Sequence, residues 1–116
     1  MREPDRDPGR LSDILNAANN LAEFTRGVTL EEFLTDRLRY YAVLKNIEII
    51  GEAAYMLSVE YKETHPEIPW RSIINMRHVL VHGYASVLPD LLWDTATRDV
   101  PELINQLRKR DGSGAE

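Results

Sequence analysis

The chain has 116 residues, of which 43% are hydrophobic and 28% charged, with a formal net charge of -5 at pH 7 and no cysteine. This length fits one domain with a modest core, and the composition is that of an ordinary globular protein. The lack of cysteine excludes disulfides, a thiolate nucleophile and cysteine-ligated zinc. The acidic balance argues against a broad cationic surface that coats nucleic acid, but it is compatible with a local site for one or two phosphates.

No segment approaches the roughly 20 apolar residues of a membrane span, and the N-terminal residues lack the apolar core of a secretory signal. We therefore expect a cytoplasmic protein with no membrane contact. Residues 1–9, rich in proline and charge, are predicted to form a loose arm. Residues 10–110 should form the helical domain, and residues 111–116 a loose tail.

The predicted helices follow in chain order. Apolar residues at helical spacing place the first helix ahead of Gly27, a residue type that commonly ends helices. Thr29 and Glu32 have the spacing of a capping box, so a second helix should begin there. From about residue 36 to residue 63 the chain has no proline and keeps helical spacing of apolar residues, which predicts one long central helix.

Residues 65–70 contain two prolines and cannot continue the central helix. The next helix is predicted to run from this turn to about His82, where Gly83 loosens or ends it. A last helix should open at Pro89 and bend or split at Pro101. No run alternates as a strand does. The predicted fold is therefore all-α, an up-and-down bundle of four to five helices.

The helix before Gly83 carries a charged side chain on its apolar face. On a helical wheel, its polar face consists of Arg71, Asn75, His78 and His82. Arg77 falls instead among the apolar residues, so its guanidinium must extend to solvent, pair with a carboxylate or lie at an interface. Glu48 and Glu52 on the central helix are the candidate partners. A buried structural ion pair and an active site are both consistent with this pattern.

Arg77 and His82 are five residues apart, hence about 140° apart on an ideal helix. The two side chains cannot easily face one atom from a single chain. If two copies of this helix crossed about a twofold axis, each arginine could lie beside the histidine of the other copy. A site that uses both residues is therefore expected in a cleft shared by a homodimer.

Residues 77–84 read RHVLVHGY. They resemble the signature of HEPN proteins, an Arg and a His with four residues between them, followed by the Tyr that marks the HepT toxins. The Arg-x4-His spacing alone is a weak signal, but further segments resemble the family in order and spacing: 44–53, 65–70, 75–77 and 92–94. The resemblance covers most of the chain from Leu11 to Leu107. Gly83, often Asp in the family, and residues 87–90 depart from the pattern.

This resemblance implies a homodimeric, metal-independent endoribonuclease without a cofactor, the toxin of a type VII-like toxin–antitoxin pair. Arg77 would hold the RNA phosphate, and His82 would act as acid or base. Tyr84 would receive AMP from a minimal nucleotidyltransferase antitoxin, and the added negative charge would silence the site. Supporting roles would fall to His78, Glu48, Glu52 and Asn75.

Two alternatives stay open from the residues alone. The protein could be a non-catalytic helical binding partner or substrate-binding subunit of a nucleotidyltransferase, or a structural bundle in which Arg77 forms a buried network with the glutamates. We expect no metal site, because the three histidines are not expected to form a chelating pair and there is no tight acidic cluster. His65, which precedes a proline in a turn, is expected to be structural or solvated.

Overall fold

A computed structural model describes residues 4–82 and 89–110, and this part of the chain is helical throughout, without a strand. Its helices are α1 (Asp7–Thr25), α2 (Leu30–Thr35), α3 (Arg37–Met56), α4 (Val59–Glu63), α5 (Trp70–Val81), α6 (Pro89–Asp94) and α7 (Val100–Arg110). A 3-10 turn, Pro4–Arg6, precedes α1, and a π-helical segment, Thr95–Asp99, joins α6 to α7. The predicted all-α class is confirmed. The described helices outnumber the expected four to five because α4 is separate from α3 and the last predicted helix is divided into α6 and α7.

Three expectations fall on residues that the structure does not describe. They are the loose tail at 111–116, the end of a helix at Gly83 and the placement of Tyr84. None of the helices within residues 4–82 and 89–110 is long and apolar enough to cross a membrane.

Helix α3 forms the centre of the fold and packs against α1 and α5. One hydrophobic core joins the helices, and its largest fully buried apolar side chains are Phe33, Ile14, Leu21, Leu57, Leu92 and Val43. A partly buried polar contact links α1 to α3, because Asn20 Nδ2 donates to Asn46 Oδ1 at 3.0 Å and Asn46 Nδ2 donates to the Ala42 carbonyl at 2.8 Å. Because α1 and α5 both pack on α3, side chains of these two helices can meet only beside α3.

The start of α1 differs from the expected loose arm. Asp7 is buried, and its carboxylate accepts hydrogen bonds from the Ser58 backbone N–H at 2.9 Å and the Ser58 hydroxyl at 2.7 Å. This pair ties the first turn of α1 to the middle of the chain. The expectation of a loose arm is therefore wrong for residues 4–9, which are helical.

The same contact explains why the predicted central helix is divided. Leu57 has extended backbone angles, and Ser58 caps the next helix by accepting the Tyr61 backbone N–H at 3.0 Å. Lys62 Nζ donates to the Ala54 carbonyl at 3.2 Å at the end of α3. One long helix over 36–63 was thus the wrong prediction, since Asp7 satisfies the backbone donor that the break exposes.

The predicted capping chemistry occurs at the start of α2, and a second side-chain cap lies at the start of α3. The Thr29 hydroxyl accepts the Glu32 N–H at 3.1 Å, and the Glu32 carboxylate accepts the Thr29 N–H at 3.0 Å, so the capping box is confirmed. Asp36 then caps α3 by accepting the Arg39 backbone N–H at 3.1 Å. That hydrogen bond, together with the Arg39 guanidinium, lowers the pKa of the Asp36 carboxyl.

The sequence predicted a bend or split of the last helix at Pro101. The structure splits it about one turn earlier, over Thr95–Asp99. The Val100 N–H bonds to the Thr95 carbonyl, the five-residue spacing of a π-helix, and Pro101 follows in the first turn of α7. Because proline has no N–H, it cannot complete the α-helical ladder behind it. The change of register over Thr95–Asp99 accommodates that missing donor.

Candidate active site

Arg77 is placed by an unusually close approach of α3 and α5. A Cβ built on buried Gly51 would collide with the Cβ of Arg77 and lie 3.2 Å from its Cα and 3.3 Å from the Ile73 carbonyl oxygen. Only glycine fits here, so the two backbones come nearly into contact. The base of the Arg77 side chain is fixed against α3 as a result.

The guanidinium of Arg77 leaves this contact toward the surface. Its Nε donates to Glu52 Oε1 at 2.5 Å, and its guanidinium carbon lies 5.3 Å from the centre of the Tyr55 ring. The Arg77 and Glu52 side chains are 29% and 52% exposed. Of the possibilities that the sequence left open, pairing with a carboxylate is the one observed. Because the Arg77–Glu52 pair is not buried, it is not the buried structural network that the sequence left open.

A cavity of about 260 Å³ opens beside Arg77. Charged side chains of three helices line it: Arg10, Asp13, Lys45, Glu48, Glu52 and Arg77. Glu48 contributes to this wall, but its ion-pair partner is Lys45 at 3.9 Å. Of the two candidate carboxylates, Glu52 is therefore the one that contacts the guanidinium. We refer to this cavity as the charged groove.

Arg10, like Asp13, is a residue of the charged groove that the sequence analysis did not single out. Its Nε is buried and has no hydrogen-bond partner among the described residues. The sequence offered only an indirect signal for these groove residues. Arg10 and Asp13 are three residues apart, a helical spacing, and both lie on α1. Their position beside Arg77 depends on the packing of α1 against α3.

His82 lies on the exposed side of α5, at its C-terminal end. It caps the helix, and its backbone N–H bonds to the His78 carbonyl at 3.2 Å. The His78 and His82 rings have centroids 4.2 Å apart and an interplanar angle of 51°. These two histidines were not treated as a pair in the sequence analysis, but they stand one helical turn apart.

The predicted polar face of α5 is confirmed, since Arg71, Asn75, His78 and His82 are all exposed. Arg77 and His82 are not brought together within the described part of one chain. The guanidinium contacts α3, whereas the imidazole lies against His78. The divergence of the two side chains agrees with their spacing on the helical wheel. Tyr84, two residues after His82, lies outside the described residues.

His65 has a structural role, one of the two that the sequence allowed. The residue is buried, and its Nδ1 lies 2.8 Å from the Tyr61 carbonyl oxygen and 3.0 Å from the Thr64 hydroxyl. Its ring stacks on Tyr61 with centroids 4.0 Å apart. No group of three or more His, Cys, Asp or Glu side chains suited to hold a metal ion occurs in the described ranges.

The fold and the candidate site define a class, an all-α domain in which one helix carries an arginine that lines a charged groove and ends at an exposed histidine. The chain belongs to the family described as Ribonuclease HepT-like, whose model matches residues 14–110.

Individual relatives agree with this assignment. A Thermococcus cleftensis protein named "Probable ribonuclease HepT" is 41% identical over 99 residues, which cover 85% of this chain and 90% of the relative. A Methanocaldococcus jannaschii protein whose name assigns it provisionally as an RNase is 37% identical over 93 residues, covering 80% of this chain and 85% of the relative. A provisionally named RNase of Caldanaerobacter subterraneus is 35% identical over 99 residues, or 85% and 88% of the two chains. No solved structure matches the chain.

Proposed function

We propose that this protein is a metal-independent endoribonuclease that acts as the toxin of a type VII-like toxin–antitoxin pair in the cytoplasm. The observation that carries the proposal is that solvent reaches both Arg77, which is partly exposed on α5, and His82, which is exposed at the end of that helix, in a chain that belongs to the Ribonuclease HepT-like family. The relatives' names refer to ribonucleases, which supports RNA as the substrate.

The chemistry of the two side chains suits RNA cleavage. RNA carries its own nucleophile, the 2'-hydroxyl, so cleavage needs a proton acceptor and donor together with a group that stabilises charge on the phosphate. An imidazole titrates near neutral pH and can fill both proton-transfer roles. A guanidinium presents a planar fork to phosphate oxygens. His82 would therefore transfer the protons, and Arg77 would bind the phosphate and stabilise its charge. None of these steps requires a metal ion.

The Arg77–Glu52 contact supports a phosphate-binding role for Arg77. Glu52 accepts the Nε–H, and among residues 4–82 and 89–110 no acceptor takes up the two terminal NH₂ groups. Glu52 would thus fix the plane of the guanidinium while the outer donors remain available to phosphate oxygens. Glu48, lining the same groove, would favour the same position of Arg77 through its negative charge. Asn75 and His78 would support the site from the exposed face of α5.

A homodimer is part of the proposal, because one chain does not bring Arg77 and His82 together. A second copy could present its histidine to the first copy's guanidinium across a twofold axis. One side of α3 carries a line of exposed residues that offers a surface for such a contact. Tyr41 and Tyr55 lie on this line at helical spacing with Lys45 and Glu52, and both tyrosines are exposed. Aromatic side chains of this kind are enriched where protein surfaces associate.

We further propose that Tyr84 is the site of silencing. A nucleotidyltransferase antitoxin would transfer AMP to its hydroxyl, two residues along the chain from His82. The added phosphate would place negative charge where the RNA phosphate must bind and would compete for Arg77. The intact mass of the protein co-expressed with the antitoxin tests this step. Additions of whole AMP units that are lost in Tyr84→Phe would support it, and an unmodified mass would contradict it.

The ribonuclease proposal is tested by incubating purified protein with RNA in excess chelator. We expect cleavage by the wild type and at least a thousandfold less by His82→Ala or Arg77→Ala, roughly the scale of losing a principal catalytic group. Arg71→Ala is the matched control, since Arg71 is exposed on the same helix but does not line the charged groove. RNA that stays intact at high protein excess would instead favour a non-catalytic partner of the nucleotidyltransferase.

A thermal melt separates a site role for Arg77 from a structural one. Because the Arg77–Glu52 pair is partly exposed, solvent screens it and its loss should cost at most about 1 kcal/mol. A buried network would lose several kcal/mol on Arg77→Ala, roughly 3–5 kcal/mol for an orphaned charge. We expect Arg77→Ala to remain folded and to melt within a few degrees of the wild type.

A further inference from the structure

We propose that His78 and His82 form a two-histidine site for a divalent late first-row metal ion such as Zn²⁺, and that the bound ion blocks the active site. The metal site itself follows from the geometry of α5. The blocking effect rests on the proposed function, because it requires His82 to act in RNA cleavage.

The spacing of the two rings suits chelation of one ion. Metal–imidazole nitrogen distances are about 2.0–2.1 Å, which puts a metal about 3.2 Å from each ring centre. Ligands at right angles would then have ring centres about 4.5 Å apart, and tetrahedral ligands about 5.2 Å. The observed separation of the His78 and His82 centroids is 4.2 Å. A small rotation of either exposed ring closes the difference.

The surroundings of the pair allow an ion to enter. Both imidazoles are exposed, so neither must leave a packed position. They stand at the C-terminal end of the twelve-residue helix α5, where the helix dipole favours positive charge. No third protein ligand lies in reach within the described part of the chain, so water would complete the coordination. Such a site would prefer ions that bind imidazole, Cu²⁺ above Zn²⁺, over the oxygen-seeking Mg²⁺.

Occupation of this site has a direct chemical consequence. A metal ion takes the lone pair of the imidazole nitrogen to which it binds. If that nitrogen of His82 is the one that accepts the proton of the 2'-hydroxyl, it can no longer do so. The ion would therefore act as an inhibitor of a reaction that itself uses no metal.

The metal site is tested by calorimetric titration of the apo protein with Zn²⁺. We expect one ion per chain and at least about tenfold weaker binding by His78→Ala, because one imidazole loses the advantage of a second tethered ligand. The double variant Asn75→His/His78→Ala is the matched control. It keeps the number of histidines but places them seven residues apart, too far along the helix for one ion. Mg²⁺ should give no binding heat.

Wild-type affinity in His78→Ala or in the double variant would overturn the metal site. His78→Gln provides a second substitution at this exposed position, and circular dichroism melts verify that each variant is folded. Zn²⁺ should then inhibit wild-type RNA cleavage with the midpoint measured by calorimetry, and chelator should reverse the inhibition. Full activity at saturating Zn²⁺ would contradict the blocking effect. A wild type that never cleaves RNA would refute the proposed function, while calorimetry would still decide the metal site.

Discussion

Gly51→Ala should destabilise the protein because α3 and α5 leave no room for a methyl group. The new Cβ would overlap with the Cβ of Arg77 and lie 3.2 Å from its Cα, and neither atom can rotate away because both are at or next to the backbone. Overpacking of this kind costs about 1–3 kcal/mol, and the upper part of that range applies to a backbone contact. The better helix propensity of alanine offsets about 1 kcal/mol. We expect a net loss of about 2 kcal/mol, or roughly 6–10 °C in Tm.

Gly9→Ala is the matched control for this substitution. Gly9 also lies inside a helix, but a Cβ there would meet nothing within 4 Å. This variant should melt at or above the wild-type temperature, since only the gain in helix propensity remains. In the proposed active site, Gly51→Ala should also displace Arg77 and lower RNA cleavage by up to about a hundredfold. If Gly51→Ala melts as high as Gly9→Ala, the account of the helix contact is refuted.

Three further substitutions test separate contacts. Asp7→Ala should lower the free energy of unfolding by about 2–4 kcal/mol, because it leaves the buried Ser58 donors without an acceptor. In the same thermal melts, the control Asp13→Ala on the exposed side of α1 should change stability by less than about 0.5 kcal/mol. Thr95→Val should raise stability by about 1 kcal/mol, because the buried Thr95 hydroxyl has no partner in the described ranges; no gain in urea unfolding would contradict this. Glu52→Ala should lower kcat/KM about tenfold with little change in Tm, since it frees Arg77; an equal loss in Glu48→Ala would argue against the specific contact.

Local rules made much of the fold predictable from the sequence. The Thr29–Glu32 capping box involves residues three positions apart, and the structure forms it as expected. The division of the central helix could not be predicted in the same way. It depends on Asp7, which is 51 residues away from Ser58 in the chain, and that residue was assigned to a loose arm on composition alone.

The same limit applies to the candidate site. Helical spacing correctly set Arg77 apart from the exposed face of α5 and named Glu52 among its two candidate partners. The choice of Glu52 over Glu48 depends on where α3 and α5 touch, and the position of Arg10 depends on the packing of α1. The His78–His82 pair could have been predicted from the sequence, since the two residues are four positions apart and helical spacing alone brings them together.

The most direct test of the two-chain site is to mix inactive variants. Arg77→Ala and His82→Ala should each be inactive alone. In a mixed dimer, one cleft would receive His82 from the first variant and Arg77 from the second, and the other cleft would lack both. After denaturation and joint refolding, random pairing makes about half of the dimers mixed, each with one intact cleft, so about one quarter of wild-type RNA cleavage should return. If both residues of a site came from the same chain, the mixture would stay as inactive as its parents.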